Sequence, residues 1–450
     1  MASTGADGIG TVSAYSSAGT GVWTATATVT GAVPSGSRTI TATLADSDVH
    51  TGNSGTDTLQ VNKREVTLTY TGDISEQYSD SASLSATLID NSPGGSSGSA
   101  IVGRTITFTL GTQTTSAITD STGKASVALP LSQPSATINL VSNFAGDSLY
   151  NSKTATTSFT INKEDATVKT LDDNPTAIQV ASAGGNSGSF TLSVNVKELY
   201  PDIPVGGTTA AGDINRAMVL MTLEPVGPGT TIASPAICPS VVSGSGYDAV
   251  KTVKCTFTNV PVNTYTVKAE FRGNYYTGPA YEDTLTVFDP SLGFTTGGGW
   301  FLWPGTLEKT NFGYNMKYSK SGTNVQGSLL MIKHMADGSI YRIKSNAINN
   351  GLAIGSSSDT NGVYGTASFT GKATYYISKT DTNAGNQLFT VYVEDHNEPG
   401  TGVDKFWIKL TDGNNNPISA VTMPGTGVSG AQFIKGGNIV VPHTNAAVKK

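Results

Sequence analysis

Apolar residues in this chain alternate with Ser and Thr, segment after segment, and helical periodicity is almost absent. TATATV (24–29), RTITATL (38–44), SLSATL (83–88), RTITFTL (104–110), KASVAL (124–129) and FTLSVNV (190–196) each set apolar side chains on one face and hydroxyls on the other. Successive side chains of a strand point to opposite faces, so this pattern belongs to half-buried antiparallel strands. Turn clusters rich in Gly, Ser, Asp and Pro separate them, as in DNSPGGSSGS (90–99) and TDSTG (119–123). A disordered linker would lack both the regular alternation and the aromatic residues that recur at strand positions. The chain is therefore expected to be all-β, built of sandwiches, with helix below about 5%.

A repeat sets the architecture. LADSDVHTGNSGTDTLQVNK (44–63) returns one hundred residues later as FAGDSLYNSKTATTSFTINK (144–163), and more faintly from Phe271 as FRGNYYTGPAYEDTLTVF. The phrase reads as the closing hairpin of a module. An inward apolar residue opens it, a turn with Gly or Asp follows, and a last strand ends it. Charged joints, VNKREVT (61–67) and INKEDAT (161–167), connect modules with no Gly/Ser spacer. That predicts a semi-rigid rod of modules at 1–63, 64–165 and 166–289, followed by a different domain at 290–450. The space before the first closing hairpin is short for a full sandwich. Module 1–63 is thus expected to be incomplete, with an open strand edge.

SLSATLID, RTITFTLG, TDSTGKASVAL and NFAGDSLYNS, in that order, resemble the bacterial immunoglobulin-like repeats of large surface and secreted proteins. Module 1–63 shares GVWTATATV and LADSDVHTGNSG with that pattern, and 166–289 shares its closing phrase. The resemblance implies immunoglobulin-like β-sandwiches in tandem. From Gly297 onward, GGGWFLWPG, FGYNMKYSKSGTNVQGSLLMIKH, GTASFTGKATYYI and FTVYVEDHNEPGTGVDKFWIKL resemble the post-COAP domain found near the C-termini of bacterial surface proteins. That resemblance implies a distinct C-terminal β domain and brings no catalytic assignment.

Composition narrows the function. Charged residues make up 13% of the chain, against about 25% in ordinary soluble domains. The net charge of −6 has no basic patch beside it, which argues against nucleic acid. No apolar run is long enough to cross a bilayer, and MASTGADG has neither the basic nor the apolar part of a signal peptide. The start reads as a piece of a longer secreted chain. The two cysteines, Cys238 and Cys255, fall in one module and are expected to form a disulfide outside the cell; two free thiols in a cytosolic protein are the alternative.

Motifs for chemistry are scarce. The four histidines, His50, His334, His396 and His443, have no zinc-ligand spacing and read as surface or packing residues. Gly94-Gly95-Ser96-Ser97-Gly98 fits G-x-S-x-G formally, but it lies in a loop followed by a strand, where no nucleophile elbow forms. Acidic residues sit in turns, where they mostly hydrogen-bond their own loop. EDHNEPGTGVD (394–404) offers Asp395, Glu398 and Asp404 as candidate calcium ligands. Trp300 and Trp303 are candidate ligand-contact aromatics; packing at a domain seam is the other reading. Aromatic residues concentrate after 290, whereas the modules before it turn Ser and Thr outward, which hydrate well and bind little. The expectation is a non-enzymatic, secreted or cell-surface adhesive rod that displays a C-terminal recognition domain to a cell-surface, matrix or polysaccharide ligand. The alternative is a carbohydrate-binding accessory region of a larger secreted enzyme. No cofactor other than calcium is indicated.

Overall fold

The structure, a computed structural model, describes residues 9–12, 16–17, 23–24, 27–29, 33–46, 48, 50–93, 97–182, 184–199, 210–289, 294–318, 324–349 and 351–443. Of these, 61% are in strands and 4% in helix, as the alternation requires. The chain divides into two compact units, the first Met1–Lys163 with Asp202–Ala211, the second Glu164–Pro201 with Gly212–Lys450. Most of residues 1–22 and the Gly94–Ser96 part of the G-x-S-x-G match lie outside the described residues.

Residues 64–163 of the first unit form an immunoglobulin-like sandwich. One sheet runs Lys124–Pro130, Ser81–Asp90, Val66–Tyr70. The other runs Gln113–Ile118, Thr105–Leu110, Ala136–Phe144, Lys153–Asn162, with Ser75–Gln77 pairing parallel to the last strand. Inward residues of the alternating strands, among them Leu84, Leu88, Ile106, Phe108, Leu140 and Phe159, are fully buried between the sheets. The repeated phrase is the hairpin of Ala136–Phe144 with Lys153–Asn162. Its turn explains its residues. Gly146 adopts φ +79°, open to glycine at little cost. Asp147 accepts the N–H groups of Leu149 and Tyr150 at 2.7 and 2.8 Å and the Arg104 guanidinium at 2.6 Å. In the third copy Gly273 repeats the conformation, at φ +81°.

The first copy of the phrase also forms its hairpin, Gly36–Leu44 with Asn53–Val61, in nine consecutive pairs. It belongs to no larger sheet, and Ile9–Val12 with Ala27–Val29 and Ser16–Ser17 with Trp23–Thr24 are likewise two-stranded. Among the described residues whose burial is known before Val66, none is buried, and Leu44, where the second module has Phe144, is 58% exposed.

The described residues of 164–199 and 212–289, in the second unit, form a sandwich with the same strand order, although their sequence carries only the closing phrase. Ser240–Ser243, Val250–Pro261, Ser187–Glu198 and Glu164–Thr170 lie side by side, with Tyr276–Thr277 at the edge. The facing sheet is Ala177–Gln179, Tyr281–Phe288, Asn263–Arg272, Met218–Pro225, Ile232–Ala233. The parallel pairing of Ala177–Gln179 with Tyr281–Phe288 repeats that of the preceding module. Cys238 and Cys255 are bridged, with Cα atoms 5.1 Å apart.

Residues 294–443 form a closed barrel. The sheet order is Lys405–Thr411, Thr382–Asp395, Gly362–Ile377, Ile340–Ile348, Val325–His334, Lys309–Tyr318, Phe294–Leu302, all antiparallel, with Ala353–Asp359 as a side branch on Gly362–Ile377. One continuous segment completes it. Gln432–Phe433 pairs with Lys405–Phe406, and Gly436–Val440, two residues on, pairs with Phe294–Leu302. The Ile434 N–H donates to Asp404 O, and the Lys435 N–H to Trp300 O. A barrel of this size is filled by side chains, and here Phe301, Phe312, Tyr314, Phe369, Phe389 and Phe406 fill it, with Phe312 and Phe406 stacked 4.2 Å apart.

The barrel's outer face along Phe294–Leu302, Lys309–Tyr318 and Val325–His334 packs on the second sandwich within this unit. Here the expectation that Ser/Thr faces are hydrated is corrected. Thr264, Thr266, Thr284 and Thr286, on the outward face of that sandwich, are 0–2% exposed. The seam leaves no room for side chains at two barrel glycines. A Cβ on Gly313 would come 2.7 Å from the Thr286 hydroxyl, and one on Gly298 only 2.3 Å from the Thr176 carbonyl oxygen. The glycine run 297–299 is thereby explained as close backbone approach. Gly298→Val is expected to cost about 1–3 kcal/mol through overpacking. An unchanged denaturation midpoint of the second unit would refute this seam.

Candidate functional site

The candidate site is a groove on the barrel, built where four adjacent strands come into register. Thr366 lies opposite Glu394, Glu394 opposite Lys405, and Lys405 opposite Phe433. Alternation sends Asp395 inward, where it accepts the Val441 N–H at 2.7 Å, and sends Glu394 and His396 outward on one face. Glu394 is 1% exposed even so. Its Oε2 takes the Lys405 ammonium at 2.8 Å and His396 Nε2 at 2.7 Å, and its Oε1 accepts the Tyr392 hydroxyl at 3.2 Å. Burial works to raise the Glu394 carboxyl, but the hydrogen bonds from His396 and Lys405 outweigh it and hold the group below its ordinary range. The His396 ring stacks on Tyr364 at 4.0 Å, and its Nδ1 lies 3.8 Å from Asp359.

The space above this floor measures about 440 Å³, within the range of small-ligand sites. Its walls are apolar and open: Phe433 is 51% exposed, Val363 37% and Val403 36%. Asp359, Asn361 and Asn397 form a polar rim. Such an arrangement offers ring stacking and hydrogen bonding around a charge-compensated floor.

The residues singled out from the sequence fall elsewhere. Trp303 is a packing residue, 6% exposed in the barrel core with the Lys333 ammonium 4.3 Å from its ring. Trp300 is half-buried at the seam beside Asp172 and Asn311, with the Lys309 ammonium 5.0 Å from its ring. Along the same strand Gly298 approaches the Thr176 carbonyl and Gly299 the Gly436 carbonyl. Of the other aromatics, Tyr314, Tyr375 and Trp407 are buried, while Tyr376 turns outward beneath Arg342.

The three calcium candidates are drawn together at one end of the barrel, where they tie its closing strand. Asp404 accepts the His396 and Ile439 N–H groups, both at 2.9 Å, and Glu398 hydrogen-bonds Asn438. Burial pushes the Asp404 carboxyl up to about 7 and Asp395 to about 6. Among the described residues no group of three or more His, Cys, Asp and Glu side chains is placed to hold a metal ion.

His396 is the residue sequence reasoning assigned too lightly. Its i, i+2 spacing from Glu394 in EDH was the available signal, since it places both on one strand face. Phe433 and Lys405 carried no comparable signal.

No family model matches the chain, and no curated protein does. Among solved structures, the Ig1–Ig2 domains of Dpr2 in complex with DIP-Theta Ig1–Ig3 align at 9% identity and a TM-score of 0.16, over 50% of this chain and 95% of that one. A 1.5-MDa bacterial ice-binding adhesin, studied for its retention on the host cell surface, aligns at 12% identity and TM-score 0.19, over 68% and 97%. A Salmonella alpha-2-macroglobulin aligns at 10% and 0.19, over 93% and 31%. At these scores the likenesses carry no argument about function. No helix among the described residues is long and apolar enough to cross a membrane.

Proposed function

We propose that this chain is a non-enzymatic, extracellular or cell-surface recognition protein, in which the barrel groove binds a cell-surface, matrix or polysaccharide ligand and the sandwiches before it act as scaffold. The observation that carries this reading is the groove itself. Three exposed apolar side chains, Val363, Val403 and Phe433, converge on one recess beside a polar rim, and a clustered exposed apolar surface marks interaction sites. On sandwich 64–163 the strand Lys153–Asn162 turns Thr154, Thr156 and Ser158 to water. The disulfide fits an oxidising compartment.

The test is adhesion of the full chain to immobilised cells and extracellular matrix. A Tyr364→Ala/Phe433→Ala double variant is expected to lose at least about tenfold in apparent affinity, the scale of losing aromatic anchors. Ser158→Ala on the sandwich should change nothing. Equal adhesion by the double variant and the parent would overturn the proposal.

A further inference from the structure

We infer that the groove takes a neutral, hydroxyl-rich ring, one or two pyranose units of an uncharged polysaccharide, seated on Phe433 and ringed by Asp359, Asn361 and Asn397. This rests on the reading of the groove as the recognition site and adds the chemistry of its ligand.

Charge decides first. The donors beside the groove are already matched: the Lys405 ammonium and His396 Nε2 share one oxygen of Glu394, and Asp359 stands on the other side of the His396 ring. An acidic polymer would have to compete for Lys405 with a carboxylate that is 1% exposed and 2.8 Å away. A basic ligand would find Glu394 covered by the same partners. Asp359, 37% exposed at the rim, remains an open acceptor that repels an acidic polymer and takes hydroxyl donors, so charge favours a neutral ligand over an acidic one.

Shape and polarity decide next. Phe433 is half open, with the Lys405 ammonium 5.2 Å from its ring centroid, so aromatic surface remains free for the C–H face of a sugar ring. The rim combines a carboxylate with two amides, which together donate and accept. That suits vicinal hydroxyls, each of which also does both. An extended peptide would instead look for a run of unpaired backbone. The rim here comes from the end of strand Ala353–Asp359, the turn after it and the bend at Asn397, and the Asn361 N–H is already bonded to Asp359 at 2.7 Å.

The experiment titrates the full chain with soluble cellohexaose, mannohexaose, xylohexaose and chitohexaose, and with oligogalacturonate as the acidic probe, reading binding by saturation-transfer NMR and calorimetry. At least one neutral hexasaccharide is expected to bind with a micromolar to millimolar Kd, weakening at least about tenfold in Phe433→Ala and holding in Phe433→Trp. Oligogalacturonate should bind at least tenfold more weakly. If no neutral sugar binds while adhesion still depends on Phe433, the ligand class is wrong and the groove reading stands; capture of a peptide or of oligogalacturonate in its place has the same meaning. If a neutral sugar binds equally to parent and Phe433→Ala, the groove is not the site and both readings fall.

Discussion

Replacing Asp404 by alanine is expected to destabilise the barrel by about 4 kcal/mol at pH 5, because two buried N–H groups, at roughly 1–3 kcal/mol each, lose their acceptor. Asp404 is fully buried, and its two oxygens hold the chain at His396 and the closing strand at Ile439. Without it the barrel loses the tie between its 395–404 turn and its last stave. The effect should depend on pH. The Asp404 carboxyl is pushed up to about 7 in the folded chain, against about 4 when unfolded. Between those values the native state keeps a proton that the unfolded state has released, so stability falls as pH rises through this window. Asp395, pushed up to about 6, acts in the same sense. Parent barrel stability should therefore decline from pH 4 to pH 7, and Asp404→Ala should both lower the midpoint and flatten the decline. Tryptophan fluorescence reports the transition, since Trp300, Trp303 and Trp407 are three of the four tryptophans in the chain. An unaltered midpoint and slope would show that Asp404 does not tie the barrel.

Removing the disulfide is expected to cost the second sandwich about 3 kcal/mol by the chain-entropy estimate for a loop of this length. The bridge spans a sequence separation of 17 and joins the segment before Ser240–Ser243 to Cys255, which is fully buried opposite Leu192. Reduced, the Cys238 segment keeps the four-residue pairing of Ser240–Ser243 and the bond from the Lys254 N–H to the Pro239 carbonyl, while Ile237 beside it is 84% exposed. A Cys238→Ala/Cys255→Ala variant should unfold at lower denaturant with a similar slope. Thiol titration of the denatured, unreduced parent should find no free sulfhydryl. Two free thiols, or a variant as stable as the parent, would contradict the bridge and weaken the case for an oxidising compartment.

What was legible in the sequence was local. Period-2 alternation gave the strands, and the phrase around Asp147 gave its hairpin turn, because both are set by neighbours in the chain. The sandwich at 164–289 was legible only through its closing phrase, since strand order is fixed by pairings such as Leu192 with Cys255 that leave no local mark. Barrel closure was illegible for the same reason: Gln432–Phe433 and Gly436–Val440 are too short to read as strands that join two sheet edges. The threonines at 264, 266, 284 and 286 show the limit of alternation. It says which residues share a face, and a second domain decides whether that face meets water. The groove suffered most, because Tyr364, Glu394, Lys405 and Phe433 span 70 positions and meet only through barrel register.

The central claim is that the chain meets its target at the barrel groove. Hydroxyl-radical footprinting of the full chain, free and bound to the surface it adheres to, tests this most directly. Phe433 and Ile118 are both open to solvent, at 51% and 67% exposure, so both are labelled in the free chain. On the surface, Phe433, Tyr364 and His396 should be protected while Ile118, on sandwich 64–163, reacts at its free rate. Protection of Ile118 with the groove still fully reactive would contradict the account.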